Sequence, residues 1–307
     1  MEVILHLGAH KTATTFIQQT MQVNRDLLTG IGVFAPKLED IRAALGGGLN
    51  GNNGMLDFDE ALNLMLPDLE NCRADTIPRI IFSDENIPGF PAEIFARGSF
   101  YLGARQRLQI LKSWLRFSPE TILYSVRPYD TFFPSAYAQW LGPYAKKHGP
   151  LKQYIPREEI CEKIAGLKRG WPAVIRDIRA TFPDSNIIIT EYGQDRKYLQ
   201  NTLQTLVGPV APDMKYNAGF FWNRGLSAQL VELLEAQLKQ GVASPESVAK
   251  IRASRGKNPS DLGQHFWQND QQIALQSRYL ADLDTIKDMA NDKLIWTGTW
   301  NGATKAR

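Results

Sequence analysis

The residues best suited to chemistry lie in a short polar turn near the amino terminus, residues 8–15. This turn reads Gly8-Ala9-His10-Lys11-Thr12-Ala13-Thr14-Thr15. The apolar run Val3–Leu7 before it predicts a buried strand, and apolar residues at helical spacing after it predict a helix from about Thr14 to Leu28. Backbone N–H groups at a helix start have no partner within the helix and, with the helix dipole, favour a bound anion. Lys11 adds a cation and the threonines add hydroxyl donors, so the turn predicts a phosphate site.

The spacing of this turn separates it from the phosphate loop of nucleotide triphosphatases, GxxxxGK[ST]. Only two residues lie between Gly8 and Lys11, and no glycine precedes the lysine. No apolar run ends in an evident metal-binding aspartate that would accompany a Ser or Thr after the lysine. Taken alone, the octet also fits a polar turn that binds nothing.

A second candidate group follows the apolar run Thr121–Val126, which predicts another strand. Arg127 stands directly after this strand, and Ser135 follows on a predicted helix over residues 131–144. In open α/β sheets, ligands bind outside the carboxyl ends of the strands. Arg127 and Ser135 can therefore converge on one anion. The alternative is that Arg127 pairs with a carboxylate and that Ser135 is a solvated helix residue.

Strand and helix signals alternate along the chain and predict an α/β fold. Further strands are predicted at 79–83 and 186–190, a short extended piece at 32–36, and helices at 108–117, 227–241 (with Ser227 as N-cap) and 271–289. This alternation predicts a three-layer sandwich with a central parallel sheet. No repeat or linker divides the chain, so residues 1–307 are expected to form a single domain, with an α/β core at 1–210 and a mainly helical part at 211–307.

Composition limits the classes of function. Of the 307 residues, 43% are hydrophobic and 22% are charged, which excludes a mainly disordered or low-complexity chain. The net charge of +3 is too small to predict a nucleic-acid partner. No apolar run approaches the roughly 20 residues that span a bilayer, and the first residues lack the basic start of a signal peptide, so a cytoplasmic protein is expected. Cys72, Cys161 and the four histidines show no metal-ligand spacing, so no metal is expected.

Together the two groups resemble the nucleotide-binding motifs of the sulfotransferases that use 3′-phosphoadenosine 5′-phosphosulfate (PAPS). The octet is similar to their 5′-phosphosulfate loop, usually G-x-x-K-T-G-T-T. The run from Arg127-Pro128-Tyr129-Asp130 to Ser135-Ala136-Tyr137 resembles their 3′-phosphate motif, in which Ser follows Arg by eight residues. The likeness is to bacterial members and covers about residues 1–210. Ala13 replaces the usual glycine, which requires that this residue does not need a positive φ, and Pro128 follows the arginine directly.

The resemblance implies transfer of the sulfuryl group of PAPS to a hydroxyl of a carbohydrate or another small acceptor. The product would be 3′-phosphoadenosine 5′-phosphate (PAP), and no metal would take part. Contacts to the donor are implied for the whole loop, Gly8, Ala9, His10, Lys11, Thr12, Ala13, Thr14 and Thr15, and for Arg127 and Ser135. Lys11 would stabilise charge on the bridging oxygen as the bond breaks. Thr14, Thr15 and loop amides would hold the 5′-phosphate. Arg127 and Ser135 would hold the 3′-phosphate.

An acceptor hydroxyl must lose its proton as it attacks, which calls for a base. The stretch Phe82-Ser83-Asp84-Glu85-Asn86 resembles a Ser-Ser-Glu stretch of bacterial and glycan-type sulfotransferases, in which the Glu is a base candidate. Glu85 is therefore the first candidate, His10 the second and Asp84 the third. Apolar neighbours would raise the pKa of Glu85, and Lys11 would oppose that rise. The alternative is that an acidic residue here only caps a helix.

Later segments give weaker signals. Arg255, Gly256 and Lys257 belong to a basic loop with some similarity to the loop that covers the adenosine and the 3′-phosphate in glycan-type sulfotransferases, and Arg224-Gly225 is a second candidate. Aromatic stretches at 129–144 and 216–222 are more typical of a core, although they can also line an acceptor cleft. Residues 45–54 hold five glycines, which predicts a loop that can gate such a cleft.

Three hypotheses follow for the function. The leading one is a PAPS-dependent sulfotransferase. The second is a kinase-like phosphotransferase using ATP and Mg²⁺, which the spacing of the loop disfavours. The third is a nucleotide-binding protein without turnover, which the presence of Lys11, Arg127 and Ser135 together disfavours.

Overall fold

The computed structural model describes residues 2–50, 54–65, 79–90, 93–95, 98–148, 155–193, 196–216, 226–254 and 262–298. Its centre is a sheet of six parallel strands in the order β2-β3-β1-β4-β5-β6. The strands are β1 (Glu2–His6), β2 (Val33–Phe34), β3 (Arg79–Ser83), β4 (Thr121–Val126), β5 (Asn186–Glu191) and β6 (Leu294–Gly298). The α/β class and the parallel sheet are thus confirmed, and so are the predicted strands.

Helices surround the sheet. In chain order they are α1 (Thr14–Val23), α2 (Arg25–Gly30), α3 (Leu38–Leu45), α4 (Phe58–Met65), α5 (Ala104–Trp114), α6 (Tyr129–His148), α7 (Arg157–Ala165), α8 (Trp171–Thr181), α9 (Arg196–Val207), α10 (Ala228–Lys239), α11 (Pro245–Ala253), α12 (Leu262–Phe266) and α13 (Asn269–Asp288). Short 3₁₀ turns occupy Gly48–Asn50 and Gly208–Asp213. Within the part of the chain that the structure describes, every helix is too short or too polar to cross a lipid bilayer.

Both faces of the sheet are buried, which explains the continuous apolar character of the strands. In β1, Val3 and Leu5 belong to one apolar cluster, and Ile4 belongs to a second cluster on the opposite face. The second cluster includes side chains of α1, α2 and α9, and the first includes side chains of most of the other helices. The result is the three-layer sandwich that the alternation of strands and helices predicts.

The predicted helices differ from the structure in their bounds, two of them most clearly. The predicted helix 14–28 is broken at Asn24, whose side-chain amide donates to the carbonyls of Thr20 and Lys215 and whose Oδ1 accepts from the Lys215 N–H. The helix predicted at 108–117 is α5, which begins and ends earlier. The N-cap at Ser227 is confirmed, because its side chain accepts a hydrogen bond from the Leu230 N–H.

The carboxyl-terminal part contains a strand that the sequence analysis missed. Strand β6 lies parallel to β5 and forms one edge of the sheet, so the residues after 210 are not only helical. The run Leu294-Ile295-Trp296-Thr297 is rich in residues that favour strands, and this signal could have identified it. Side chains from both sides of residue 210, among them Tyr137 and Glu235, also hydrogen-bond to one another.

The three candidate groups of the sequence analysis lie at one edge of this sheet. Strand β1 is flanked by β3 and β4, and all three run in the same direction. His6, at the end of β1, lies directly beside Ser83 at the end of β3. The segments that follow these strands, starting at residues 7, 84 and 127, therefore leave the sheet at the same end, where α/β proteins bind ligands.

Candidate functional site

The turn between β1 and α1 has an unusual backbone. Gly8, Lys11 and Ala13 all have positive φ values, of 40°, 66° and 61°. The expectation that Ala13 has no positive φ was therefore wrong. This alanine adopts a left-handed conformation, which costs roughly 1–2 kcal/mol in a non-glycine residue. Among the described residues no side chain caps the start of α1, so its first N–H groups face the turn as donors.

Hydrogen bonds from neighbouring elements hold this turn in place. The Ala9 N–H donates to the Ser125 carbonyl of β4 (3.2 Å), and the Tyr198 hydroxyl donates to the Thr12 carbonyl (3.2 Å). The same Tyr198 hydroxyl lies 2.7 Å from Ser125 Oγ, which in turn lies 2.9 Å from Thr190 Oγ1. A buried chain of hydroxyl groups thus ties the turn to β4 and β5, which makes it rigid.

Arg127 connects the second candidate group to this turn. Its Nη1 donates to the carbonyl oxygen of Lys11 (2.7 Å) and its Nε to Thr131 Oγ1 (3.1 Å), while the guanidinium lies over the Tyr192 ring at 5.1 Å. No carboxylate of the described chain forms an ion pair with Arg127, so the expected alternative of an acidic partner is not seen there. Burial lowers the pKa of the guanidinium, and the charges of Tyr192 and Asp130 oppose that shift. A half-buried cation that forms no ion pair with the described chain is suited to bind an external anion.

Ser135 lies on the same helix as Thr131. The two residues are four apart in α6, so their side chains are neighbours on one helix face. Ser135 is half-buried, and no hydrogen bond joins its side chain to residues 8–15. Arg127 therefore contacts the turn, and Ser135 lies one helical turn beyond Thr131. Thr131 is a polar partner of Arg127 that the sequence analysis did not single out.

The hydroxyl of Thr14 is a buried polar group without a partner. Its Oγ1 forms no hydrogen bond with the described residues, although the residue is 4% exposed. A Cβ atom added to Gly8 would lie 2.8 Å from this oxygen, so only glycine leaves the space open. Thr15, the next residue of α1, is half-buried. An unpaired hydroxyl at a helix start is suited to donate to an anion.

His10 is fully buried beneath the turn. Its Nδ1 lies 2.7 Å from the Tyr101 hydroxyl and its Nε2 lies 2.9 Å from Asn86 Oδ1, so both ring nitrogens have partners. Burial lowers its pKa to about 4. In the neutral ring Nε2–H donates to the amide oxygen and Nδ1 accepts from the phenol. This geometry fits a clamp between the turn and the segment after β3 and argues against His10 as a base.

The two acidic candidates after β3 differ in their surroundings. Both oxygens of Asp84 accept hydrogen bonds from Arg42 (2.7 and 3.1 Å), and one also accepts from the Asn86 N–H. Glu85 makes only longer contacts, with Arg42 and with Gln18, both at 3.4 Å. Burial and the neighbouring Asp84 raise the pKa of Glu85, as expected, whereas the opposing cation is Arg42.

Several sequence-based candidates are outside the described residues or belong to the core. Arg255, Gly256 and Lys257, together with Arg224-Gly225 and residues 217–222, are outside the described residues. The aromatic side chains at the start of α6 are core residues, since Tyr129, Phe132 and Phe133 are at most 1% exposed. Of the glycine-rich segment 45–54, residues 48–50 form a 3₁₀ turn, and 51–53 are outside the described part.

Replacing Ala13 by glycine should stabilise the protein. The change removes the left-handed strain at an alanine, and after the entropy cost of glycine we expect a gain of about 0.5–1 kcal/mol in the free energy of unfolding. Urea unfolding measures it. The matched control is Ala9→Gly in the same turn, which should destabilise because Ala9 is buried and has no positive φ. A loss of stability in Ala13→Gly would contradict the prediction.

Stability should fall between pH 7 and pH 5 because of two buried histidines. Burial lowers the pKa values of His6 and His10 to about 4, so between pH 6.5 and 4 the unfolded chain binds protons that the folded chain does not. By linkage, each histidine removes about 2 kcal/mol of stability at pH 5 relative to pH 7. Urea unfolding at both pH values tests this. His10→Gln should halve the histidine-dependent loss, and exposed His265→Gln should leave it unchanged.

Comparisons with known proteins do not narrow this description. Neither the protein-family models, nor the curated proteins, nor the solved structures that were compared include a match to the chain. The chemistry of the site therefore has to be inferred from its own geometry: a strained turn rich in donors, a cation without an acidic partner, and a carboxylate of raised pKa at the next strand end.

Proposed function

We propose that this chain is a PAPS-dependent sulfotransferase that sulfates a hydroxyl of a carbohydrate or another small acceptor. The observation that carries the proposal is the hydrogen bond between Arg127 Nη1 and the Lys11 carbonyl. This contact joins residue 127 to the backbone of residue 11, more than a hundred residues away, and a ligand with two phosphate groups would use the cations of both segments. The half-buried arginine lacks an acidic partner within the described chain, which fits an anionic ligand.

The residues present fit such a donor. Lys11, the open N–H groups of α1 and the unpaired Thr14 hydroxyl, with Thr15 beside it, would hold the 5′-phosphosulfate end. Arg127 would hold the 3′-phosphate together with Ser135, which is on the α6 face that bears Thr131. Positive charge and fixed dipoles at this turn would stabilise the charge that develops during transfer, so the chemistry depends on positioning.

Glu85 is the proposed base. It is 13% exposed, so an acceptor can reach it, and its raised pKa makes it a better proton acceptor than an ordinary carboxylate. Its two rivals are already occupied: His10 by hydrogen bonds at both nitrogens, and Asp84 by a bidentate pair with Arg42. In the reaction Glu85 would take the proton of the acceptor hydroxyl, and the acceptor would leave as a sulfate ester.

The phosphotransferase hypothesis needs a carboxylate for Mg²⁺ beside the turn. Asp84 is at the end of the neighbouring strand, where such a ligand would stand. Both of its oxygens are bonded to Arg42, which disfavours that role. A nucleotide-binding protein without turnover would need no base. A loss of turnover in Glu85 variants would therefore favour the enzyme over the binding protein.

Calorimetric titration tests the class of ligand. We expect PAP to bind without metal more tightly than ATP with Mg²⁺, because the 3′-phosphate engages Arg127. Binding of ATP with no binding of PAP would overturn the proposal. Transfer of labelled sulfate from PAPS to a panel of sugars and small alcohols then separates an enzyme from a binding protein.

Replacing Arg127 by alanine should weaken PAP far more than a ligand without the 3′-phosphate. We expect a loss of at least tenfold for PAP and a smaller loss for adenosine 5′-phosphosulfate, since one charge-assisted contact is worth about 1.5–3 kcal/mol. The second loss is not zero, because Arg127 also supports the Lys11 carbonyl. Arg116→Ala, an exposed arginine in surface ion pairs, is the control and should change neither affinity. Equal losses for both ligands would refute the assignment.

Lys11→Ala and Glu85→Gln should separate charge stabilisation from proton transfer. Alanine shares the backbone cost of a positive φ, so Lys11→Ala removes the ammonium without a new demand on the turn, and we expect transfer to fall at least 100-fold. Glu85→Gln should lower kcat by 10²- to 10⁴-fold and change the Kd of PAP less than threefold. Initial rates and calorimetry measure both. Full turnover in either variant would remove that residue from the mechanism.

A further inference from the structure

Gln18 is a buried side chain between the phosphate turn and Glu85. It lies on α1, four residues after Thr14, and is 7% exposed. Its Nε2 donates to the Ser83 carbonyl at 2.8 Å and also faces Glu85 Oε2 at 3.4 Å. Two acceptors on one side fix the orientation of the amide, because a carbonyl in that position would face two oxygens.

We propose that Gln18 is a positioning residue for Glu85, whose carboxylate it tethers to the end of strand β3 by a shared amide. The inference rests on the proposed function, in which Glu85 is the base. The short bond to Ser83 holds the amide, and its second N–H points to Glu85 Oε2. Arg42 Nη2 faces the other oxygen, Oε1, so the carboxylate is held from both sides.

The two holders of Glu85 are not equivalent. Arg42 is 41% exposed and also bonds both oxygens of Asp84, so its charge is shared between two carboxylates and is open to solvent. Gln18 is uncharged and buried, and it belongs to the helix whose first turn bears the phosphate-binding groups. A hydrogen bond to the carboxylate favours its charged form, and Gln18 therefore opposes the rise in the pKa of Glu85. The other charged or titratable groups that act on Glu85 are Asp84, Arg42 and, from the segment before α5, Tyr101.

The site thus joins donor and base through one helix. Thr14 in the first turn of α1 faces the proposed phosphate, and Gln18 in the next turn holds the carboxylate. The role of Gln18 is in the geometry and the charge of the base, not in the affinity for the donor.

The test is Gln18→Met, which keeps the length of the side chain and removes the amide. We expect kcat to fall about tenfold, the Kd of PAP to change less than twofold, and the acid limb of the pH–rate profile to move up by roughly half a unit to one unit. The control is Gln22→Met on the next turn of α1, where the amide also donates to a backbone carbonyl (Ala35, 2.9 Å), and which should leave all three unchanged. A lower kcat without a shift of the acid limb would overturn the proposal.

A double variant separates this inference from the proposed function. If Gln18 acts through Glu85, then Gln18→Met in the Glu85→Gln background should lower kcat no further. Full additivity would refute the positioning role while leaving the sulfotransferase intact. If the wild-type protein transfers no sulfate, the proposed function is contradicted and Gln18 has no role in catalysis. Carbon-13 NMR of the labelled Glu85 carboxyl still measures the effect of Gln18 on its pKa. A raised pKa in Gln18→Met would support the contact between Gln18 and Glu85, and an unchanged pKa would overturn it.

Discussion

The hydrogen bond from Arg127 to the Lys11 carbonyl depends on an unfavourable backbone conformation. The positive φ of Lys11 belongs to the same turn that directs this carbonyl to the guanidinium, and Arg127 in turn satisfies an oxygen that the turn leaves without a helical partner. The cost of the left-handed residues at 11 and 13 is met by contacts from outside: Ser125, Tyr198 and Arg127 all bond the backbone of residues 9–12. Backbone strain that contacts from neighbouring elements hold in place is typical of binding sites.

The two arginines of the site have different surroundings. Arg42 pairs with both oxygens of Asp84, whereas Arg127, which follows β4, forms no ion pair with a carboxylate of the described chain. Burial raises the pKa of Glu85, whose side chain is still partly exposed. Buried neutral histidines below the turn add hydrogen bonds without adding charge.

The sequence was sufficient for the fold class and for the positions of the early strands along the chain, because buried parallel strands are continuous apolar runs and the turns between them are polar. It also indicated that Lys11, Arg127 and Glu85 follow strand ends, as they do in the structure, while their roles stay predictions. It could not show that Ala13 adopts a positive φ, since nothing local forces an alanine there; contacts from β4 and α9 do so. Gln18 and Arg42 were not singled out, because a glutamine or an arginine on a helix becomes significant only when another strand end lies beside it. Strand β6 was missed although its residues favour a strand, and its partner β5 is about a hundred residues away.

The order of the strands has a consequence for how the chain reaches its native state. Strand β1 is followed by its neighbours β3 and β4 only after about 75 and 115 residues, so the central pairings are long-range and slow to form. Strand β5 has an unprotected edge until β6 is synthesised, and an open edge of a parallel sheet is a template for association between nascent chains. Completion of the last strand thus protects a half-built sheet from aggregation as well as adding to its stability.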